Sequence, residues 1–398
     1  MRKTFLSALP IVLATISGAL AIDLYLPAIP DLPRLLGGTP VQAQYSLSAF
    51  MAAFAVGQLV FGVLADRFNR RIVLNTALSL LAVTSLLCGL TDSMWHLVGL
   101  RALQGLAASA GAALAPALLR EMAEGVAVVR LMGVVSSVQA IVPAVAPAVG
   151  TWIVQQWGWR WSFVAVAIFA AFAVTMFLIN PLHPRKHPVR RDLHPLAGYA
   201  ALIKSRRFLG YVVSHGWSFG ALVTFTFAAP YVITAHTRAG IESFAIMQIA
   251  LVTSFVAGAN VAPLVVKRLG SDMTIVSAAA LQIGGGVGLL AVTLLLRDVT
   301  VPAMAVAVAI INFGHGVRGG TGMARVMDVM PQHTGSASAL MIFLSIGISS
   351  IATPVLAPYL ALGAWPLGVA VAVQTILSLA VLPLAVAAEK SMDAPTEA

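Results

Sequence analysis

The chain has 398 residues, 59% hydrophobic and only 10% charged, with a mean hydropathy of +0.93, which leaves too little charged surface for a soluble domain. The alternative solvent is lipid, where each helix satisfies its own backbone and needs roughly 20 apolar residues to cross. A single cysteine, Cys88, excludes an intramolecular disulfide, and neither metal-ligand spacing nor a nucleotide-binding motif calls for a cofactor.

Twelve apolar runs follow in chain order: 5–26, 46–64, 72–90, 97–119, 131–154, 162–179, 209–233, 244–266, 274–296, 301–323, 337–357 and 367–386. They are continuous and too long for barrel strands, so each predicts a transmembrane helix. The first follows Arg2 and Lys3 and includes Ala19-Leu20-Ala21, which resembles a leader cleavage site. It exceeds the roughly 7–15 apolar residues of a leader and runs on into another span, so it is read as span 1.

Basic residues set the expected orientation. With the N-terminus inside, eighteen of the 24 Lys and Arg fall on inner segments, while Arg34, Arg160, Arg238 and Arg297 are outside and Arg101 and Arg318 lie within spans. Both termini are therefore expected in the cytoplasm. The net charge of +10 is then a topology signal, and nucleic acid is not an expected partner. A Pro-rich inner segment, 181–207, divides the chain into two six-span halves, 1–180 and 208–387, before a tail at 388–398. Within the linker, residues 196–203 suit a short amphipathic piece on the membrane face. Asn69 and Gly270 occupy matching inner turns of the two halves, and both residue types tolerate a left-handed backbone.

A charge within lipid costs at least about 2.5–3.5 kcal/mol, so Asp23 and Arg101 are functional candidates. They lie at similar depth on antiparallel spans, which leaves a proton site tuned by the cation, a static ion pair or a hydrated carboxylate as readings. Span 7 carries Tyr211, His215 and Ser218 on one helical face with Trp217 beside them. Span 10 carries Asn312, His315 and Arg318 at successive spacings of three, and Gln104 lies three residues beyond Arg101. Polar points on an apolar surface suit an amphiphilic ligand, although each also suits local hydrogen bonding between helices. Arg318, about a turn and a half from the inner end of its span, is expected to snorkel to the phosphate layer; the alternative is a cavity cation favouring neutral or anionic cargo.

Four motifs carry a family resemblance. The loop Gly62-Val-Leu-Ala-Asp66-Arg67-Phe-Asn-Arg70-Arg71 resembles the G-x-L-A-D-R-x-G-R-R signature of the major facilitator superfamily, with Asn69 in place of glycine. Arg101-Ala-Leu-Gln104-Gly105 is similar to the family's R-x-x-Q-G. The run from Val142 through Pro143 and Pro147 to Gly150 resembles the antiporter signature, with Ala146 where glycine is commoner. Ile22-Asp23-Leu24-Tyr25-Leu26-Pro27-Ala28-Ile29-Pro30 is close to the run found in exporters of bicyclomycin, chloramphenicol and florfenicol.

The resemblance implies an all-α fold of twelve transmembrane helices in two six-helix bundles around a central cavity. It implies proton-coupled drug export by alternating access, with Asp23 and Arg101 coupling the proton. Tyr25, Gln104, Tyr211, His215, Trp217, Ser218, Asn312, His315 and Arg318 would then serve the cavity. Gly62, Asp66, Arg67, Arg70, Arg71, Arg120 and Glu121 would latch the inner face. Pro143, Pro147 and Gly150 would form the antiporter motif. Expected partners are a small-molecule substrate, protons and lipid, with one chain acting alone. A dedicated metabolite exporter on the same fold is the principal alternative; a non-transporting receptor or scaffold leaves the intramembrane charges unexplained.

Overall fold

The computed structural model describes the backbone of residues 2–122, 126–179, 195–296, 299–330 and 334–385. Within these, the side chains of 2–7, 65–66, 120, 126–130, 132–134, 136–138, 140, 195–198, 334–336 and 338 lie outside the description. Much of the expected linker, and the whole of the expected tail, falls outside the described residues.

The first helices are α1 (Arg2–Asp23), α2 (Leu32–Leu35), α3 (Pro40–Arg67), α4 (Arg70–Leu90), α5 (Met94–Met122), α6 (Val126–Trp157) and α7 (Arg160–Ile179). A short α8 (Pro195–Lys204) coincides with the expected amphipathic piece. Then come α9 (Arg206–His236), α10 (Glu242–Leu269), α11 (Ser271–Leu295), α12 (Val301–Asp328), α13 (Thr334–Leu356) and α14 (Trp365–Ala380). Among the described residues there is no strand, and eleven helical segments are long and apolar enough to cross a membrane. The 32-residue α6 has the length of a further span.

Local chemistry sets several helix starts. Thr39 accepts from the Gln42 N–H while Gln42 reaches back to the Thr39 N–H, and Pro40 stands at the first helical position. This capping box starts α3 six residues before the expected span, because polar Gln42 and Gln44 are helical although they are not apolar. Ser205 caps α9 by accepting from the Phe208 N–H. The inner turns differ from expectation at one position. Gly270 has φ +75°, but Asn69 is extended at φ −62° and spends its side-chain oxygen on the Arg71 N–H. Asparagine serves there as an N-cap, so no left-handed residue is needed.

The chain divides into two compact units, Met1–Arg191 and Asp192–Ala398, except that Phe244–Ile249 group with the first. In the first, α1 packs along α5, α6 and α7, while α4 packs along α5 and α7. In the second, α9 packs along α12, α13 and α14, while α11 packs along α12 and α14. Leaving out the short α2 and α8, these pairings recur six helices on, with α1 answering to α9 and α4 to α11, as in a chain built from two repeats.

The outward faces are apolar: Leu90 is 74% exposed, Ile246 71% and Leu295 78%. A stable soluble protein does not carry such surface all round, whereas lipid accommodates it. Trp95, Trp152, Trp157 and Trp161 are half-exposed where α4 passes to α5 and α6 to α7, as in an interfacial aromatic belt. The molecule is a multi-pass membrane protein.

Candidate functional site

Asp23 is the last residue of α1, which stops three residues before the expected end, at the short 3-10 turn Leu26–Ala28. The side chain is 7% exposed. Among the described residues no cation lies within 4.0 Å of its carboxylate, and neither oxygen accepts a hydrogen bond. A close approach supports its backbone from behind, where a methyl group on Gly150 of α6 would sit 2.6 Å from the Leu24 carbonyl oxygen. The absence of a side chain at Gly150 lets α6 lie against the end of α1. Pro147, one turn earlier, gives its carbonyl to the Thr151 hydroxyl at 2.8 Å. The backbone N–H that this turn would need for helix bonding at Pro147 itself is absent, so the helix is locally loosened there.

Arg101 does not pair with Asp23. It is fully buried and donates from Nη1 to the Ala21 carbonyl at 2.7 Å and to Gln104 Oε1. Its guanidinium lies over the Phe50 ring at 4.2 Å and the Tyr25 ring at 4.6 Å. Aromatic faces stabilise a desolvated cation by about 0.5–2 kcal/mol each, so stacking offsets part of the missing counter-charge. Gln104 passes the network on by donating to Ser85 Oγ at 2.7 Å. Gly105 then brings α5 onto the Phe50 backbone of α3, where no Cβ would fit. Tyr25 spends its hydroxyl on Ser46 at 2.8 Å. Tyr25 and Gln104 are thus sealed within the first unit and present no free polar group to a cavity. Every polar residue of the Arg101–Gln104–Gly105 motif has a partner inside the bundle.

The second unit has its own polar core. Arg318 is 1% exposed and does not snorkel. It donates to Ser214 Oγ at 2.6 Å, Ser378 Oγ at 2.5 Å and Gln282 Oε1 at 3.3 Å, which ties α12 to α9, α14 and α11. Three acceptors inside the bundle take up the guanidinium in place of a lipid phosphate. Ser218 donates to Gln282 at 2.9 Å and meets His315 Nδ1 at 2.8 Å. The His215 and His315 rings lie 5.1 Å apart between centroids. Tyr211 departs from this group by donating to Asp272 at 2.7 Å. Asn312 turns back to its own helix at the Val308 carbonyl, and Trp217 is half-buried. Ser214, Gln282 and Ser378 were not foreseen. Gln282 alone carried a signal, as an amide inside an apolar run.

At the helix ends of the first unit, Arg70 at the start of α4 bonds Glu121 in the last turn of α5. Arg67 is exposed, Arg71 is partly buried, and a Cβ on Gly62 would meet open space. Asp66 and Arg120 lie outside the residues whose side chains are described. Of the expected latch, the structure brings together Arg70 and Glu121. Among the described residues no group of three or more His, Cys, Asp or Glu could hold a metal.

The family model described as Major Facilitator Superfamily matches residues 11–354. A bicyclomycin resistance protein homolog of Haemophilus influenzae is 25% identical over 353 residues, 88% of each chain. A chloramphenicol resistance protein of Pseudomonas aeruginosa is 30% identical over 282 residues, covering 69% of this chain and 65% of its own length. The chloramphenicol resistance protein CraA of Acinetobacter baumannii is 22% identical over 317 residues, 79% of this chain and 76% of its own. A crystal structure of the nucleoside transporter NupG superposes with a TM-score of 0.72 at 13% identity, over 95% of this chain and 99% of that one. That likeness bears on the fold alone.

Proposed function

From the premise that this chain belongs to the Major Facilitator Superfamily, we propose that it exports amphiphilic drugs of the chloramphenicol and bicyclomycin kind in exchange for protons. It works as a single chain in a bacterial inner membrane, with both termini cytoplasmic. The relatives are named for resistance to such compounds, which supports drug export as the cargo class.

The observation that carries the proton reading is the state of Asp23. It is an acid within a membrane span whose carboxylate has neither a cation nor a hydrogen-bond donor among the described residues. Such a group is costly to keep charged in lipid, so a proton is a natural partner for it. Arg101, held apart by Ala21, Gln104 and two aromatic rings, braces the end of α1 on which Asp23 stands. Alternating access supplies the cycle: a proton taken up at Asp23 from one side favours one conformation, and its release on the other side favours the next. The small-residue contact of Gly150 with Leu24 and the loosened helix at Pro147 suit a joint that must repack during that cycle. Arg70 and Glu121 form an ionic contact at the helix ends, where pairing or parting biases one state.

Everted vesicles with an acid interior test this reading. Chloramphenicol, florfenicol or bicyclomycin should dissipate the proton gradient with the wild-type chain and leave it intact with Asp23→Asn inserted at equal amount. Equal dissipation by Asp23→Asn would exclude Asp23 as the coupling group. Silence of the wild type with all three compounds would favour a dedicated metabolite exporter.

A further inference from the structure

The polar core of the second unit contains a cation whose partners are all neutral. On the helices that meet Arg318, namely α9, α11, α12 and α14, the carboxylates are Asp272 and Asp328. Asp272 is held by Arg325 and Tyr211, and Asp328 is the last residue of α12. Arg318 therefore sits 1% exposed without a counter-charge among the described residues. Its three bonds to Ser214, Ser378 and Gln282 leave Nε sealed from solvent without an acceptor. Buried polar atoms are satisfied in the great majority of cases, so an orphan on a charged group calls for an explanation.

A second orphan stands nearby. His215 Nδ1 is also sealed and unpartnered. It lies 4.0 Å from where a Cβ on Gly322 would stand, and Gly322 is one turn beyond Arg318 on the same face of α12. The bare Gly322 leaves room at that point. The bonds around Gln282 also set the neighbouring histidine. The Gln282 amide Nε2 donates to the Ile311 carbonyl, so Gln282 Oε1 faces Arg318 and Ser218 and can only accept. The one hydroxyl hydrogen of Ser218 is thereby used, and His315 Nδ1 must be the donor in its bond to Ser218. His315 is held in place as a wall of the cluster, with its ring against that of His215.

We infer that Arg318, His215 and the gap at Gly322 form a subsite for a singly charged anionic group, such as a carboxylate carried by the cargo. The guanidinium supplies the charge and the free Nε–H, and His215 supplies a second polar contact. Among the described residues, a cationic group meets no acid there. This rests on the export reading only for the identity of the ligand as cargo; a free inorganic anion satisfies the same chemistry.

The test is thermal unfolding of the purified full chain in nanodiscs, which needs neither a gradient nor transport. Its failure is thus separable from failure of the vesicle assay. The probes are sodium benzoate, benzamide, benzyltrimethylammonium and sodium chloride, with gluconate as the background anion. Benzoate should raise the unfolding temperature in a saturable way, with benzamide and the ammonium compound giving no such rise. The rise should be lost in Arg318→Gln and in His215→Phe, the latter changing a side chain that makes no hydrogen bond in the structure. If Arg318→Gln does not fold, His215→Phe and Gly322→Leu decide the matter, since both should abolish the benzoate effect. A chloride effect as large as that of benzoate, lost in the same variants, would assign the anion site to an inorganic ion. Equal stabilisation by benzamide, or a benzoate effect that survives His215→Phe and Gly322→Leu, would overturn the inference.

Discussion

Arg325 and Asp272 make in the second unit the bridge that Arg70 and Glu121 make in the first, with the charges exchanged between helices. In the first unit the base stands at the start of α4 and the acid in the last turn of α5. In the second the acid stands in the first turn of α11 and the base in the last turn of α12. Each charge of the second bridge also complements its helix end, an acid near an N-terminus and a base near a C-terminus. Tyr211 adds a third partner by donating to Asp272 at 2.7 Å.

That bridge is partly buried, so removing one partner should cost about 1 kcal/mol beyond the loss of a fully exposed pair. Asp272→Ala and Arg325→Ala should each lower the unfolding temperature, and the exchange Asp272→Arg with Arg325→Asp should recover part of the loss. Thermal unfolding of the four proteins checks this, and a double exchange no better than the single variants would deny direct pairing. Tyr211→Phe should show a smaller loss in the same assay.

The stacking of Arg101 predicts that lysine is a poor substitute. A lysine keeps the charge but cannot lie flat against Phe50 and Tyr25 while reaching Ala21 and Gln104. Arg101→Lys should destabilise the chain by about 2 kcal/mol, a sum of lost cation–π contact and an unmet carbonyl. Asp23→Asn should leave the unfolding temperature nearly unchanged, because no partner is lost. The pair of measurements separates bracing from proton binding.

Gly150 and Gly284 form a matched contrast. A methyl group at Gly150 meets the Leu24 carbonyl, whereas at Gly284 it meets open space. Gly150→Val should cost about 1–3 kcal/mol through overpacking and reduce export more than stability alone accounts for. Gly284→Ala should be neutral in both respects. Export measured per folded molecule is the deciding quantity.

The native cysteine assists a topology test. Cys88 is fully buried, so Cys88→Ala gives a background without thiols. With both termini cytoplasmic, a cysteine at Asp92 should react with an impermeant maleimide from outside, and one at Ser205 only after the inner face is opened. The reverse pattern would invert the orientation drawn from the basic residues.

The number and character of the spans were legible because they follow from composition alone: lipid demands long apolar helices whatever their neighbours are. The repeat and the family were legible too, because the motif residues lie close together in the chain. The sequence also marked Asp23, Arg101 and Arg318 as costly charges, which is a property of each residue singly. It did not say what each would meet. Asp23 and Arg101 matched in depth, yet Arg101 turned to a carbonyl two residues short of the helix end at Asp23, and to rings from α3 and the turn after α1. Arg318 looked close enough to the membrane surface to reach it, yet Ser214, Gln282 and Ser378 converge on it from three helices far apart in the chain. Those partners depend on the rotation of each helix about its axis, which packing at small residues such as Gly105 and Gly150 decides. A helix carries its apolar length in its own sequence, but the neighbours of a buried charge are chosen only when the bundle closes.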